Sequence, residues 1–447
     1  MRKTRIESVP WRASVSMAAV LLAFLALPGP ARANGRHAAD GGEPGPFAAG
    51  HTSFVLEQAT GRRVAVDVWY PSDRCDAGPG SPQAVYTMDP YFPGSLPETT
   101  SADWEARGYD RAYERSRPSR RGPFPTVVYS SGSTFPTWAN LFLATRLASH
   151  GYVFAAIQHY GEGSWPWYSW DNIFTIANSR PRDVSFVLTE LLEMNRRHGD
   201  PIRGVIDPRR VAVGGHSFGG YSALAVAGGD DTVCDSKILL EIGDPVPPEA
   251  CGPTPVDPRF SAVVTLEGSG HLLRFAELAR VSVPSLVIGG AVERQSPSLD
   301  EWRAWMARTH AAITGRASFR VDFQDTDHFS YSSYCDGITM LHERGAISED
   351  DWNNYYGVYF CGAPLPIAEG HRLIDRFVLA FLDAHVRQRP DPGGHQSLGR
   401  LDAEEPLAEL FRNERCDRGV ADPETLFTYR PHRGQCEVAE KDPPAWF

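Results

Sequence analysis

The chain has 447 residues, of which 42% are hydrophobic, 11% aromatic and 22% charged. That balance excludes a disordered, collagen-like or coiled-coil protein and is ample for a large buried core. With 44 Lys and Arg against 55 Asp and Glu, a formal net charge of −11, the chain has no global basic field to recruit nucleic acid.

The first 33 residues read as an export signal. Arg2, Lys3, Arg5 and Arg12 precede an apolar run from Met17 to Leu27, and Ala31-Arg32-Ala33 forms a small-x-small cleavage site. The run is shorter than the ~20 residues that cross a bilayer, which disfavours an uncleaved anchor. Cleavage after Ala33 predicts a secreted or periplasmic protein without stable membrane insertion.

Residues 34–62 begin Gly-, Ala- and Pro-rich and are expected as a flexible lead-in. Arg63–Tyr70 alternates as a strand does and is expected to stop at Pro71. Residues 72–124 carry many Pro, Gly, Ser and Arg with little periodicity, which predicts a surface insertion. Short β-branched runs then recur at Thr126–Tyr129, Tyr152–Ile157, Arg210–Val213, Ser261–Leu266, Ser285–Ile288 and Ser318–Phe323. Helical patterns lie between most of them. The clearest is Pro181–His198, with Val184, Val187, Leu188, Leu191 and Leu192 on one face and Gly199 just past its end. This alternation predicts an α/β protein with a mostly parallel central sheet covered by helices on both faces. A last amphipathic helix over 366–387 closes a domain expected to span 63–387. The polar, Pro-rich residues 388–447 read as a C-terminal extension.

Export makes disulfides possible. By proximity the seven cysteines suggest Cys234–Cys251, Cys335–Cys361 and Cys416–Cys436, leaving Cys75 alone. No C-x-x-C or zinc-ligand spacing occurs, so neither a metal nor a cofactor is expected.

Chemistry concentrates at Gly215-His216-Ser217-Phe218-Gly219, a G-x-S-x-G pattern. Alone it could be a glycine-rich turn with an ordinary serine. A strand-like run before it and an Ala/Leu-rich helical segment, Tyr221–Ala227, after it supply the context of a nucleophile elbow, with Ser217 as nucleophile. A serine nucleophile needs a base and the base an orienting acid, in chain order nucleophile, acid, histidine. His328 lies in a loop after the last predicted strand, at the rim of the sheet, and is the expected base. His271, His310, His342, His371 and His385 are less well placed, and His159 and His216 are expected to shape the site. Glu267, ending one strand, and Glu293, following the next, are both candidate acids. Asp325 and Asp327 read as turn residues.

Four segments in order resemble the α/β-hydrolase superfamily, and within it platelet-activating-factor acetylhydrolases and dienelactone-hydrolase-like esterases. They are Trp69-Tyr70-Pro71; Leu147-Ala148-Ser149-His150-Gly151-Tyr152 running into Ala155-Ala156-Ile157-Gln158-His159; Gly215–Gly220; and Leu266-Glu267. The likeness covers about residues 65 to 385. It implies an α/β-hydrolase fold and an exported serine esterase cleaving short to medium acyl esters, including acetyl-phospholipid-like ones, without a cofactor. It places the acid at Glu267, where the family usually has Asp; cutinase-like relatives would place it at Glu293. It implies the backbone amides of Ser133 and Phe218 as oxyanion donors, although Ser130-Ser131-Gly132-Ser133-Thr134 departs from the usual His-Gly-x-Gly. Polyester or amide hydrolysis, or a catalytically silent binding protein, are the alternatives. Trp165-Pro166-Trp167-Tyr168-Ser169-Trp170 is either an acyl-pocket or lipid-facing cluster, or core beneath the insertion.

Overall fold

Val127 and Val128 are neighbours in the chain, yet they lie in two different apolar cores. Successive strand residues point to opposite faces, so a strand buried on both sides must be apolar throughout. The computed structural model describes residues 42–77, 80–87, 96–161, 172–290, 299–315, 317–387 and 394–412, plus short strands at Leu426–Thr428 and Ala439–Lys441. The expected export signal and Cys416–Cys436 pair, the Trp165–Trp170 cluster and Glu293 lie outside these residues.

Ten strands form one sheet: β1 (Ala48–Glu57), β2 (Arg63–Ser72), β3 (Ala112–Glu114), β4 (Phe124–Ser130), β5 (Val153–His159), β6 (Ile206–His216), β7 (Ala262–Leu266), β8 (Ser285–Gly289), β9 (Ser318–Phe323) and β10 (Ala408–Arg412). Their order is β10-β9-β8-β7-β6-β4-β5-β2-β1-β3. The stretch from β9 to β5 is parallel, while β2 runs antiparallel to β5 and to β1. One core lies under α1 (Leu141–Ser149), and the other under α2 (Ile173–Met194) and α3 (Phe218–Gly228). No helix among the described residues is long and apolar enough to cross a membrane.

Several boundaries differ from the sequence expectations. The lead-in holds β1, paired with β2 along its whole length; its Gly50-His51-Thr52-Ser53 stretch lacks the apolar alternation that marks a strand. β2 runs through Pro71 to Ser72. The insertion 72–124 is not all surface, because Tyr86 and Trp104 are buried and Trp104 packs 5.7 Å from Trp138. The C-terminal extension contributes β10, antiparallel to β9, where Phe411 lies under the guanidinium of Arg320 at 3.8 Å. The helix expected from Pro181 begins eight residues earlier, at Ile173, capped by the Asn172 side chain. A proline inside a helix orphans the carbonyl four residues back. Here that carbonyl is Ala177's, and the Tyr221 hydroxyl lies 3.3 Å from it.

Cys234 and Cys251 lie at disulfide distance with Cα atoms 5.3 Å apart, as do Cys335 and Cys361 at 5.4 Å. Cys75 is exposed and free.

His51 on β1 is buried between two carboxylates, with Nδ1 2.9 Å from Glu114 and Nε2 3.8 Å from Asp67, and its ring 5.1 Å from that of Tyr86. Burial alone would lower its pKa, but the neighbouring Asp67 and Glu114 carboxylates prevail and raise it to about 9. A group whose pKa rises on folding contributes stability fully below its unfolded value and loses it as pH climbs through the folded value. Unfolding free energy is therefore expected to drop by ~3 kcal/mol between about pH 6.5 and pH 9.5. Urea titrations should show that slope in the parent and its loss in His51→Gln; an equal slope in both removes His51 as the cause.

Candidate active site

The elbow is set by sterics within a few residues. β6 ends at His216, Ser217 adopts φ 54° and ψ −124°, and α3 begins at Phe218. Gly219 must lack a side chain, since a Cβ there would lie 1.9 Å from the carbonyl oxygen of Ser130. The start of α3 thus presses directly on the loop after β4. The Ser217 amide donates to the Leu266 carbonyl at 3.0 Å, and its own carbonyl accepts from Gly220 at 2.8 Å and Ser269 at 3.0 Å. The nucleophile candidate is half-buried and locked to the end of β7.

Glu267 follows β7 with φ 46° and is fully buried. Its Oε1 accepts from the Gly290 amide at 2.5 Å, and its Oε2 lies 3.7 Å from Nδ1 of His328. Gly290 is held from the other side as well, its carbonyl accepting from Thr326 Oγ1 at 2.7 Å and the Tyr331 hydroxyl at 3.3 Å. Burial first, and the Glu267 charge second, push the Tyr331 phenol well above its usual range, so it remains a donor. Gly290, Thr326 and Tyr331 carried no signal in the sequence, because they support Glu267 through main-chain contacts.

His328 opens the short helical turn His328–Tyr331. Asp327 caps that turn, its Oδ1 accepting from the amides of Phe329 at 3.0 Å and Ser330 at 2.8 Å. Burial raises the Asp327 pKa, against the hydrogen bonds that lower it. Asp327 acts as the turn residue expected of it. His216 is buried behind the elbow and donates from Nε2 to the His328 carbonyl at 2.9 Å. Burial, reinforced by the neighbouring His328, drives its pKa well below the usual value, so it stays neutral.

Ser133 lies on the loop after β4, beside Gly132, whose carbonyl accepts from the Phe135 amide at 3.1 Å. Phe218 is the first residue of α3, where amides have no intrahelical acceptor and the helix dipole favours negative charge. Among the described residues, five non-glycines have positive φ: Arg115, Thr134, Ser217, Glu267 and Asp325. All but Arg115 fall in these loops at the carboxyl edge of the sheet. Strained backbone of this kind costs of order 1–3 kcal/mol per residue and collects at functional sites. Ser217, Glu267 and His328 thus come from three separate loops to one edge. Of the alternative histidines, His310 and His371 are buried and His342 stacks on Trp352. His271 is half-buried and stacks on Trp305 at 3.9 Å. His385 lies on a helix, α4 (Ile367–His385), against Phe381.

No protein-family model matches this chain, and no curated protein does. Among solved structures it is similar to a ferulic acid esterase from Streptomyces cinnamoneus, with a TM-score of 0.53 and 22% identity over 82% of this chain and 96% of that one. Together with the sheet order, that likeness establishes an α/β-hydrolase fold.

Proposed function

We propose that this chain is an exported carboxylic ester hydrolase working through an acyl-enzyme on Ser217, within a catalytic domain that takes in the whole ten-stranded sheet from β1 to β10. The observation that carries the reading is the half-buried serine on a strained strand-to-helix turn, at the same sheet edge as the Glu267–His328 pair 3.7 Å apart. His328 takes the Ser217 proton as Oγ attacks the ester carbonyl, and Glu267 steadies the resulting imidazolium. The amides of Ser133 and Phe218 hold the developing oxyanion. His328 then protonates the leaving alcohol, and water returns through the same steps to release the acid and free Ser217. Export is supported by the leader-like N-terminus and by two cysteine pairs at disulfide distance.

The substrate class we propose is small esters of short to medium acids, acetyl-phospholipid-like esters among them. Aryl acids belong in the same test, because the half-buried Phe329 beside His328 and Phe135 beyond Ser133 lie 6.1 Å apart, and the solved relative is a ferulic acid esterase. The deciding experiment combines turnover of p-nitrophenyl esters from C2 to C12 and of methyl ferulate with mass mapping of a fluorophosphonate adduct. We expect turnover and a single adduct on the peptide holding Ser217. Neither turnover nor adduct would return the chain to the class of silent binding proteins; an adduct with no ester turnover would point to amides.

A further inference from the structure

We propose that Ser130, His159, Asp183 and Arg180 are positioning residues that hold the oxyanion-binding loop against α3; the inference rests on the esterase reading above. The four side chains are buried, with relative exposures of 0%, 3%, 0% and 0%. Ser130 Oγ lies 2.9 Å from His159 Nε2, and His159 Nδ1 lies 2.9 Å from Asp183 Oδ2. This is a second serine–histidine–carboxylate set, with contacts shorter than that of the Glu267–His328 pair. Burial removes it from substrate, so it cannot be the nucleophilic centre. Its location gives it another use.

Ser130 is the last residue of β4 and opens the loop that carries Ser133. Arg180, on α2, donates from Nη2 to Ser130 Oγ at 3.2 Å and also to the carbonyl of Ser131, and from Nε to Ser222 Oγ at 3.0 Å. Its guanidinium lies 4.8 Å from the centre of the Phe218 ring. Ser222 in turn donates to the Phe218 carbonyl at 3.0 Å. One arginine therefore ties the loop of one proposed oxyanion donor to the helix turn of the other.

The proton arrangement follows from the donors. Arg180 can only donate, so the Ser130 hydroxyl accepts from it while meeting His159 Nε2 on its other side. The ionised Asp183 can only accept, so His159 carries a proton on the Nδ1 that faces it. Asp183 also receives Arg62 through Nε at 2.9 Å and Nη2 at 2.7 Å, and Gln58 at 2.7 Å. Burial would raise the Asp183 pKa, but His159 and Arg62 hold it below the usual carboxylate range, so the chain ends on a fixed charge. An oxyanion hole works only while its donors stay within about 0.5 Å of productive geometry, and a displacement near 1 Å costs on the order of 100-fold in rate.

The test uses Ser130→Ala and Arg180→Lys in the full chain, with three readouts. These are kcat and KM on p-nitrophenyl acetate, inhibition by a trifluoromethyl ketone that forms a tetrahedral adduct, and amide hydrogen exchange over residues 131–135. We expect kcat to fall about 10- to 100-fold with KM within threefold. Ketone affinity should weaken in parallel with kcat/KM, and exchange over 131–135 should quicken at least tenfold. Unchanged kcat and exchange overturn the inference, as does a loss shared equally by KM, which marks a general structural role. Should Arg180→Lys fail to fold, Ser130→Ala, which removes a single hydroxyl, decides alone. A wild type inert towards esters sinks the esterase reading, while exchange over 131–135 still decides whether these residues hold the loop.

Discussion

Ser217→Ala is expected to lower kcat by at least ~10⁴-fold while leaving the thermal midpoint within a few degrees of the parent. Removing a serine nucleophile abolishes the acyl-enzyme route and leaves only what binding and the oxyanion hole contribute to direct attack by water. Stability should hold because alanine meets the same left-handed backbone, φ 54°, that serine already tolerates. Ser217→Gly separates strain from chemistry. Glycine adopts that conformation freely, so the variant should be equally inactive yet more stable by about 1 kcal/mol, the relieved strain exceeding glycine's entropic cost. Paired p-nitrophenyl ester assays and urea titrations read both effects. Activity within tenfold of wild type in Ser217→Ala would remove Ser217 as nucleophile and reopen every other serine at the sheet edge.

Glu267→Gln is expected to cost about 10³- to 10⁴-fold in kcat, with KM little changed. The amide keeps the shape and still offers Gly290 an acceptor, so the 2.5 Å contact survives. What disappears is the negative charge facing His328 Nδ1 as the imidazolium forms. Glu267→Asp is the sharper variant. It restores the residue type usual in the resembled family but draws the carboxylate back by one methylene from an Oε2 that is already 3.7 Å from His328. A loss of about 100-fold is expected, because this backbone is built for the longer side chain. Glu293→Gln serves as the control and should retain activity within threefold. If it is instead the variant that loses three orders of magnitude, the acid sits one strand later and Glu267 becomes a structural anchor for Gly290.

Some of this protein is local and was legible as such. The elbow needs only a strand, a serine flanked by glycines and a helix start, all within Val211–Tyr221. Short parallel strands buried on both faces announce themselves as apolar runs, and five of the six predicted from 125 onward begin and end within two residues of the observed strands. The sixth is the core of β6, which starts at Ile206 on residues too polar to read as strand. Strands at and next to the ends of the sheet were harder. β1 and β10 belong to the sheet through main-chain pairing, which any sequence can supply, so small or polar side chains hid them. The early start of α2 was masked by Pro181, whose orphaned carbonyl finds Tyr221 from another helix.

Neighbours along the chain suffice for the α/β class and for the strand–serine–helix turn after β6, and they suggested the two cysteine pairs 17 and 26 residues apart. Tertiary structure alone decided which charges meet. Only folding brings Glu267 beside His328, with its second oxygen on an amide 23 residues away. The Ser130–His159–Asp183 chain and its arginine draw on partners 24 to 50 residues apart. A hydrogen bond requires atoms within about 3 Å, and no pattern along a chain carries that distance until the sheet has closed.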